Sequence, residues 1–177
     1  MHISRGYVGD FASQIEAQVP SLRRFAWALL RDDAAADDLV QDCLERALTR
    51  WHLRRQDANL RAWLFAILHN LYISDWRQKV RRGEHLALSD LASEPEVAAT
   101  QETTVIYREA LDALRHLPDD QRTVLLLVGV EDLSYQDAAK IVGVPIGTIM
   151  SRLSRARERL RQLIEGGPSG ATLRLVK

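Results

Sequence analysis

Several features typical of enzymes and secreted proteins are scarce in this chain of 177 residues. Its single cysteine, Cys43, excludes the internal disulfide framework on which small secreted domains depend. Its five histidines show no metal-ligand spacing, and it contains neither a glycine-rich phosphate loop nor a nucleophile elbow. We therefore expect no enzymatic activity, no bound metal and no cofactor.

Long hydrophobic runs are also absent. No stretch approaches the roughly 18 consecutive apolar residues of a membrane-spanning helix, and the N-terminal residues lack the apolar run of a signal peptide. Apolar residues make up 46% of the chain, which is enough for one medium-sized core or two small ones. These features predict a cytoplasmic protein without membrane insertion.

The chain also has no excess of positive or negative charge, which is unusual for a protein that binds DNA without a partner protein. There are 24 basic and 24 acidic residues, but they are segregated. Four basic residues lie in 77–82 and five arginines in 152–161, whereas 83–104 contains five acidic residues and no basic one. Local basic surfaces separated by an acidic segment are typical of a subunit that meets DNA within a larger assembly.

The most informative pattern lies near the C-terminus, where two short helices are predicted on either side of a turn. Ser134 is a favourable N-cap, and Asp137 completes a pattern like a capping box. Gly143 and Pro145 then end the first helix, and a second helix is predicted over about 146–163. This arrangement is the helix-turn-helix layout.

The second of these helices has two distinct faces. The face predicted to be buried carries Ile149, Leu153, Ala156, Leu160 and Leu163. The adjacent face is polar and basic and carries Thr148, Arg152, Arg155 and Arg159, with Ser151 at its edge. A solvated arginine-rich helix would show the same composition. The capped helix and turn that precede it favour a helix that enters the major groove of DNA.

This segment resembles region 4.2 of bacterial sigma factors of the extracytoplasmic-function (ECF) class, a group of the sigma-70 family. The family pattern GTV-x-SRL-x-RAR occurs here as GTIMSRLSRAR, with Met150 where many members carry a basic residue. The preceding LPDDQRTVLLLVGVEDLSYQDAA resembles region 4.1. The resemblance implies that the duplex −35 promoter element is contacted by Thr148, Ser151, Arg152, Arg155 and Arg159.

Apolar periodicity predicts two helices in the N-terminal part, after a poorly patterned and frayed segment 1–10. The first covers about 11–30, with a bend near Pro20, and the second covers about 34–50 after a break at 31–33. The apolar stripe of the second helix is Leu39, Val40, Cys43, Leu44, Ala47, Leu48 and Trp51.

The outer surface of this second helix carries Asp37, Asp38, Gln41 and Asp42. By composition alone, such a face is most simply a solvated acidic surface. However, DDLVQDCLERAL resembles sigma region 2.2, which docks on the clamp helices of the largest RNA polymerase subunit. The resemblance implies that these four residues face the polymerase core.

A loop over 51–59 and a long helix over 60–82 follow. The first half of this helix is apolar nearly all round and should lie at the centre of a helical bundle, whereas its second half is polar and basic. At least two of its four aromatic residues are expected in the core. These four are Trp63, Phe65, Tyr72 and Trp76.

The segments RAWLFAILHN and SDWRQ of this helix resemble ECF regions 2.3 and 2.4. Aromatic and polar side chains beside positive charge are what single-stranded DNA binding requires. The resemblance implies that this helix and the preceding loop melt and read the −10 element. The residues concerned are Arg54, Arg55, Asn59, Arg61, Trp63, Asn70, Asp75 and Arg77.

Together these patterns predict an all-α protein with two small helical domains joined by a flexible linker. A domain like sigma region 2 is expected over 11–82, an acidic linker over 83–104 and a domain like sigma region 4 over 105–163. Within the last domain, we expect a helix from 105 to 117 and a second one that buries Val124, Leu125, Leu127 and Val128. A disordered tail is expected over 164–177.

The predicted function is that of a sigma factor that binds core polymerase and promoter DNA, with an anti-sigma factor as a further partner. A helix-turn-helix regulator that never touches polymerase is one alternative, but the DLVQ and RAWLF segments are unexpected in it. A sigma mimic that sequesters an anti-sigma factor is another. A mimic would be expected to lose the basic residues of the −35 helix, and here Arg152, Arg155 and Arg159 are present.

Overall fold

The computed structural model describes residues 5–51, 59–82 and 113–166. Within these ranges all regular structure is helical. The helices form two compact units, one before residue 83 and the other made of most of 113–166. The predicted all-α fold with two helical domains is therefore confirmed. The predicted linker over 83–104 and most of the predicted helix over 105–117 lie outside the described residues.

The N-terminal unit contains α1 (Arg5–Glu16), α2 (Val19–Leu30), α3 (Asp33–Arg50) and α4 (Leu60–Arg81). The single bent helix predicted over 11–30 was wrong in two respects, because the chain forms two helices there and the first begins at Arg5. Pro20 lies in the first turn of α2, where its missing N–H removes no helical hydrogen bond. A proline in that position starts a new helix rather than bending one.

The junction between α2 and α3 confirms the predicted break at 31–33. Arg31 ends α2 in a left-handed conformation with φ of 58°, and its N–H donates to the Trp27 carbonyl at 2.7 Å. Asp32 caps α3, since its Oδ1 accepts the Ala35 N–H at 2.8 Å. The short connection lets α3 pack on α2.

The core of the N-terminal unit comes from the apolar faces of α2, α3 and α4. Leu64, Phe65 and Leu68 are inaccessible to solvent, as predicted for the central helix, and the Phe65 ring meets Phe25 edge-on with centroids 5.2 Å apart. Tyr72 is also buried, whereas Trp76 is exposed. The expectation of at least two core aromatics in α4 is confirmed.

One residue of the predicted α3 stripe does not belong to the core. Leu48 is 51% exposed. At 100° per residue it lies in line with Asp37 and Gln41, on the polar side, rather than with Cys43 and Ala47. Leu44 and Trp51, which flank the stripe, are half-buried.

The C-terminal unit contains α5 (Asp119–Leu125), a π-helical turn (Leu126–Val130), α6 (Tyr135–Val142) and α7 (Ile146–Gly166). α5 begins directly after Pro118 and packs on α7. α7 extends three residues beyond the predicted end, so 164–166 do not belong to a disordered tail. Residues 167–177 lie outside the described part of the chain.

The core of the C-terminal unit is formed by Val124 and Leu127 against the α7 residues Ile149, Leu153 and Ala156, all nearly inaccessible. Two predictions require correction. Leu126 is buried and Val128 only half-buried, because the wider π turn changes the angle at which successive side chains leave the axis. The predicted core positions in the last turns of α7, Leu160 and Leu163, are likewise half-buried.

Candidate nucleic-acid interface

α6 and α7 are joined by a tight turn whose hydrogen bonds are local. The Ser134 hydroxyl oxygen accepts the Asp137 N–H at 3.0 Å and donates to Asp137 Oδ2 at 2.9 Å, so the predicted capping pair is present. Gly143 has φ of +75°, and the Val144 N–H bonds to the Ala139 carbonyl at 3.2 Å. This hydrogen bond closes a loop of six residues and is typical of the Schellman motif, which ends many helices. The predicted helix-turn-helix is therefore formed.

The five residues predicted to contact the −35 element lie along one side of α7. Arg155, Arg159 and Ser151 are exposed, whereas Thr148 and Arg152 are half-buried at the margin next to α5. The Ser151 hydroxyl donates to the Thr148 carbonyl at 3.0 Å. The arrangement presents hydroxyls and guanidinium groups from the side of the helix next to its buried stripe.

Two acidic residues in the first turn of α5 each contact an arginine. Asp119 Oδ1 accepts from Arg122 Nη2 at 2.6 Å, and the Arg122 side chain is only 2% exposed. Asp120 Oδ2 lies 3.0 Å from Arg152 Nε. No role for either acid was predicted from the sequence. The tertiary contact with α7 was missed because it joins segments far apart in sequence.

The remaining charged residues of α7 differ in their surroundings. Glu158 pairs with Arg161 and accepts from Gln162 Nε2 at 2.9 Å. Within the described part of the chain, Arg155 and Arg159 have no ion-pair partner. An open groove beside α5 is lined by Gln121, Ser154, Arg155, Glu158, Arg159 and Gln162. Among the described residues, nothing therefore keeps these two arginines from an anionic ligand.

On the N-terminal unit, the four residues predicted to face polymerase are all exposed on α3: Asp37, Asp38, Gln41 and Asp42. Asp37 is engaged by Arg23 of α2 through two hydrogen bonds, Nε to Oδ1 at 2.7 Å and Nη2 to Oδ2 at 2.6 Å. Gln41 Nε2 donates to Glu45 Oε1 at 3.1 Å. The bidentate partner of Asp37 was not anticipated from the sequence, since no local pattern couples α2 to α3.

The start of α4 is held in place by polar contacts. Asn59 caps the helix by accepting the Ala62 N–H at 3.4 Å. Arg61 donates from Nη1 to Gln18 Oε1 at 2.7 Å and lies over the Phe65 ring at 5.1 Å. Arg61 thereby ties α4 to the turn between α1 and α2. Trp63 is half-buried.

From Ser74 onward α4 is largely exposed and carries more basic than acidic residues. Asn70 and Arg77 are exposed, and Asp75 forms an ion pair with Lys79 at 2.9 Å. Trp76 is 40% exposed, so an aromatic surface lies among these charges. The predicted −10 residues Arg54 and Arg55 lie outside the described residues.

Within residues 5–51, 59–82 and 113–166, no cluster of three or more histidine, cysteine, aspartate or glutamate residues is arranged to hold a metal ion. No helix in those ranges is both long and apolar enough to cross a bilayer.

Comparison with family models matches both units. The model described as the Sigma2 domain of PhyR matches residues 15–69, which include the end of α1, α2, α3 and the first half of α4. The model described as Sigma-70, region 4 matches residues 107–160, which include the helix-turn-helix. Together the two matches cover both described units.

Similar proteins agree with these matches. The ECF RNA polymerase sigma factor EcfG of Rhodopseudomonas palustris is 46% identical over 85% of this chain and 82% of its own length. The ECF RNA polymerase sigma factor SigC of Mycobacterium tuberculosis is 34% identical, over 82% and 80% of the two chains. The sigma factor RpoE of Bartonella quintana, solved in complex with the anti-sigma factor NepR, is 37% identical with a TM-score of 0.77, over 88% of this chain and 97% of that one. The chain belongs to the ECF family of RNA polymerase sigma factors.

Proposed function

We propose that three surfaces of this sigma factor divide the work of promoter-specific transcription initiation. α3 docks on core RNA polymerase, the 54–77 segment opens and reads the −10 element, and α7 reads the −35 element as duplex. The observation that carries the proposal is the exposed basic side of α7 in a complete helix-turn-helix. In this function the protein has no chemistry of its own and works in the cytoplasm.

The role of α3 is supported by the exposure of Asp37, Asp38, Gln41 and Asp42 on one region of a helix whose other side is core. We assign these residues to the clamp helices of the largest polymerase subunit. A carboxylate on such a surface acts by charge complementarity, which mainly affects the association rate and specificity. The bidentate contact from Arg23 holds Asp37 in one orientation before docking.

The role of α4 is supported by exposed polar and aromatic groups on its second half. Asn70, Asp75 and Arg77 face solvent, and Trp63 is partly accessible. Stacking on an aromatic ring beside positive charge is a general mode of single-strand binding. Asn59, Arg61, Arg54 and Arg55 complete the proposed −10 surface. Arg61 contributes mainly by fixing the start of α4, because it bonds to Gln18.

The role of α7 is supported by the position of its arginines relative to its hydroxyls. The N-terminal residues of a recognition helix contact base edges, while residues further along contact phosphates. We therefore assign Thr148, Ser151 and Arg152 to the bases, Arg155 to either, and Arg159 to the backbone of the −35 element.

An anti-sigma factor is the further partner that we propose. The support is the similarity to RpoE of Bartonella quintana, which was solved with the anti-sigma factor NepR. Residues 15–69 also match the Sigma2 domain of PhyR, which is an anti-anti-sigma factor. This match taken by itself is compatible with the mimic alternative. The exposed Arg155 and Arg159 and the region 4 match favour a DNA-binding sigma factor over a mimic.

Run-off transcription with purified bacterial core polymerase and a genomic library tests this function. The wild-type protein should produce new transcript starts that share paired −35 and −10 motifs. Arg155→Ala should reduce −35-dependent starts about tenfold, within the range of a specific arginine contact to DNA. Its affinity for core polymerase should not change.

Arg157→Ala is the matched control, since it removes the same charge from another exposed side of α7. It should leave the −35 preference intact. Loss of core affinity in Arg155→Ala would contradict the proposed division of labour. Duplex binding without any new transcript starts would favour a regulator that acts without polymerase. Capture of an anti-sigma factor with neither activity would favour the mimic.

A further inference from the structure

The ion pair between Asp120 and Arg152 connects the first turn of α5 with the side of α7 that carries the predicted DNA contacts. Arg152 Nε lies 3.0 Å from Asp120 Oδ2, and the two side chains are 24% and 48% exposed. Accessible ion pairs of this kind usually contribute little to folding stability. Orientation of the arginine is therefore the more important consequence of the contact.

The chemistry of the guanidinium group defines what this contact can do. A guanidinium has five N–H donors in one rigid plane, and a single carboxylate can accept from at most the two on one of its edges. At least three donors of Arg152 are then not used by Asp120. The ion pair keeps the guanidinium group beside α5, so those donors reach a limited range of directions.

We infer that Asp120 is a positioning residue for promoter recognition. By holding Arg152, it directs the remaining guanidinium donors at one base edge of the −35 element. Guanine is the base that fits, because its O6 and N7 accept a bidentate arginine. The inference rests on the proposed role of α7.

Arg159, which is assigned to the DNA backbone, and Arg155, which is assigned to either bases or backbone, differ from Arg152 in their surroundings. Arg155 and Arg159 have no ion-pair partner in the described part of the chain, and both line the open groove beside α5. A phosphate can be contacted from many directions, so an arginine that binds it needs no fixed plane. Base recognition is the task for which a restrained guanidinium gives an advantage.

A double-mutant cycle in the holoenzyme tests the inference. The base preferences of wild-type, Asp120→Asn, Arg152→Ala and the double variant are measured by binding to a promoter library randomised across the −35 element. Asp120→Asn should lower the preference at one base pair by about fivefold, the low end of what a bidentate arginine–base pair provides. Arg152→Ala should lower it at the same base pair, and the double variant should be no worse than Arg152→Ala.

Glu158→Gln is the charge-matched control. It also neutralises one carboxylate on the outer side of α7, but Glu158 contacts Arg161 and Gln162 rather than Arg152. The Glu158→Gln holoenzyme should bind nearly all promoter sequences more tightly by a similar factor, and the order of preferred sequences should not change. The affinity of Asp120→Asn for core polymerase and its thermal unfolding should match those of the wild type. A loss of base preference can then be attributed to the orientation of Arg152 and not to a folding defect.

Three results would overturn the inference. Asp120→Asn could bind all sequences more tightly with unchanged preferences, or the two single losses could add in the double variant. In both cases Asp120 would act independently of Arg152, while the Arg155→Ala effect would keep the proposed function intact. If instead the wild-type holoenzyme ignored the −35 sequence, the proposed role of α7 would be wrong as well.

Discussion

At the scale of single residues, Cys43 shows how burial controls chemistry. Its side chain is inaccessible to solvent, and its Sγ lies 3.5 Å from the Leu64 carbonyl oxygen as a hydrogen-bond donor. Burial raises the pKa of the Cys43 thiol to about 12. A thiolate is needed for rapid oxidation, so this environment makes Cys43 a packing residue rather than a redox sensor.

The raised pKa predicts a dependence of stability on alkaline pH. Below about pH 8.5 the thiol is protonated in both folded and unfolded chains, so it contributes no pH dependence. Above that pH, only the unfolded chain releases the proton, and stability falls as pH rises toward the folded pKa. We expect this group alone to lower the free energy of unfolding by about 2 kcal/mol between pH 8 and pH 10.

Urea denaturation of the wild type and of Cys43→Ala at both pH values measures this contribution. All other groups titrate in both proteins, so the difference between the two pH-induced losses isolates the thiol. The alanine variant should be less stable at pH 8 because of the cavity, but it should lose less stability on going to pH 10. Equal losses in the two proteins would show that the Cys43 pKa is not raised.

At the scale of the element, the turn between α6 and α7 depends on one glycine. Gly143 has φ of +75°, and a Cβ built on it would meet no atom within 4 Å. Gly147, in the first turn of α7, also has open space around it but no positive φ. The two positions differ in backbone conformation and not in steric room.

Alanine at these two positions should therefore have opposite effects on stability. Gly143→Ala should lower the free energy of unfolding by about 1 kcal/mol, the cost of a left-handed conformation for a residue with a Cβ. Gly147→Ala should raise it by up to about 1 kcal/mol through helix propensity. Urea denaturation followed by circular dichroism measures both.

Gly143→Asn provides an additional control, because asparagine tolerates the left-handed region better than alanine does. Its loss of stability should be smaller than that of Gly143→Ala. A destabilisation of similar size at both glycines would mean that side-chain volume, rather than φ, decides the cost.

At the scale of the whole molecule, charge is balanced in total but not in distribution. The chain has equal numbers of acidic and basic residues, yet acidic groups predominate on the outer side of α3 and arginines on α7. Net attraction to DNA is therefore small, because affinity for the duplex depends on the number of phosphates neutralised. Promoter binding should need the additional contacts that polymerase provides.

We predict that the free protein binds a duplex −35 fragment with a dissociation constant weaker than about 1 µM at physiological salt. With at most two phosphate contacts from α7, those of Arg155 and Arg159, affinity should fall about 12-fold between 50 and 200 mM salt. Fluorescence anisotropy with a labelled fragment measures both quantities. A scrambled fragment of equal length is the control, and nanomolar binding by the free protein would contradict the prediction.

The helices could be predicted from the sequence because their signals are local. α3 was predicted over 34–50 and forms over Asp33–Arg50, and the helix-turn-helix was placed correctly by Ser134, Gly143 and Pro145. Capping, glycine turns and the 3.6-residue period act within a few residues of the chain. The family resemblance depends on the same short motifs and is confirmed.

Only the tertiary structure decided which charged groups have a partner on another helix. Arg23 with Asp37, Arg61 with Gln18 and Arg152 with Asp120 all join different helices. Their partners depend on how helices pack, and no local pattern in the sequence encodes that packing. The sequence by itself determined most of the helices and the side of α7 that carries arginine, because periodicity acts within each helix. The fold decided that Arg152 pairs with a carboxylate while Arg155 has no such partner among the described residues, because only packing brings α5 against one margin of α7.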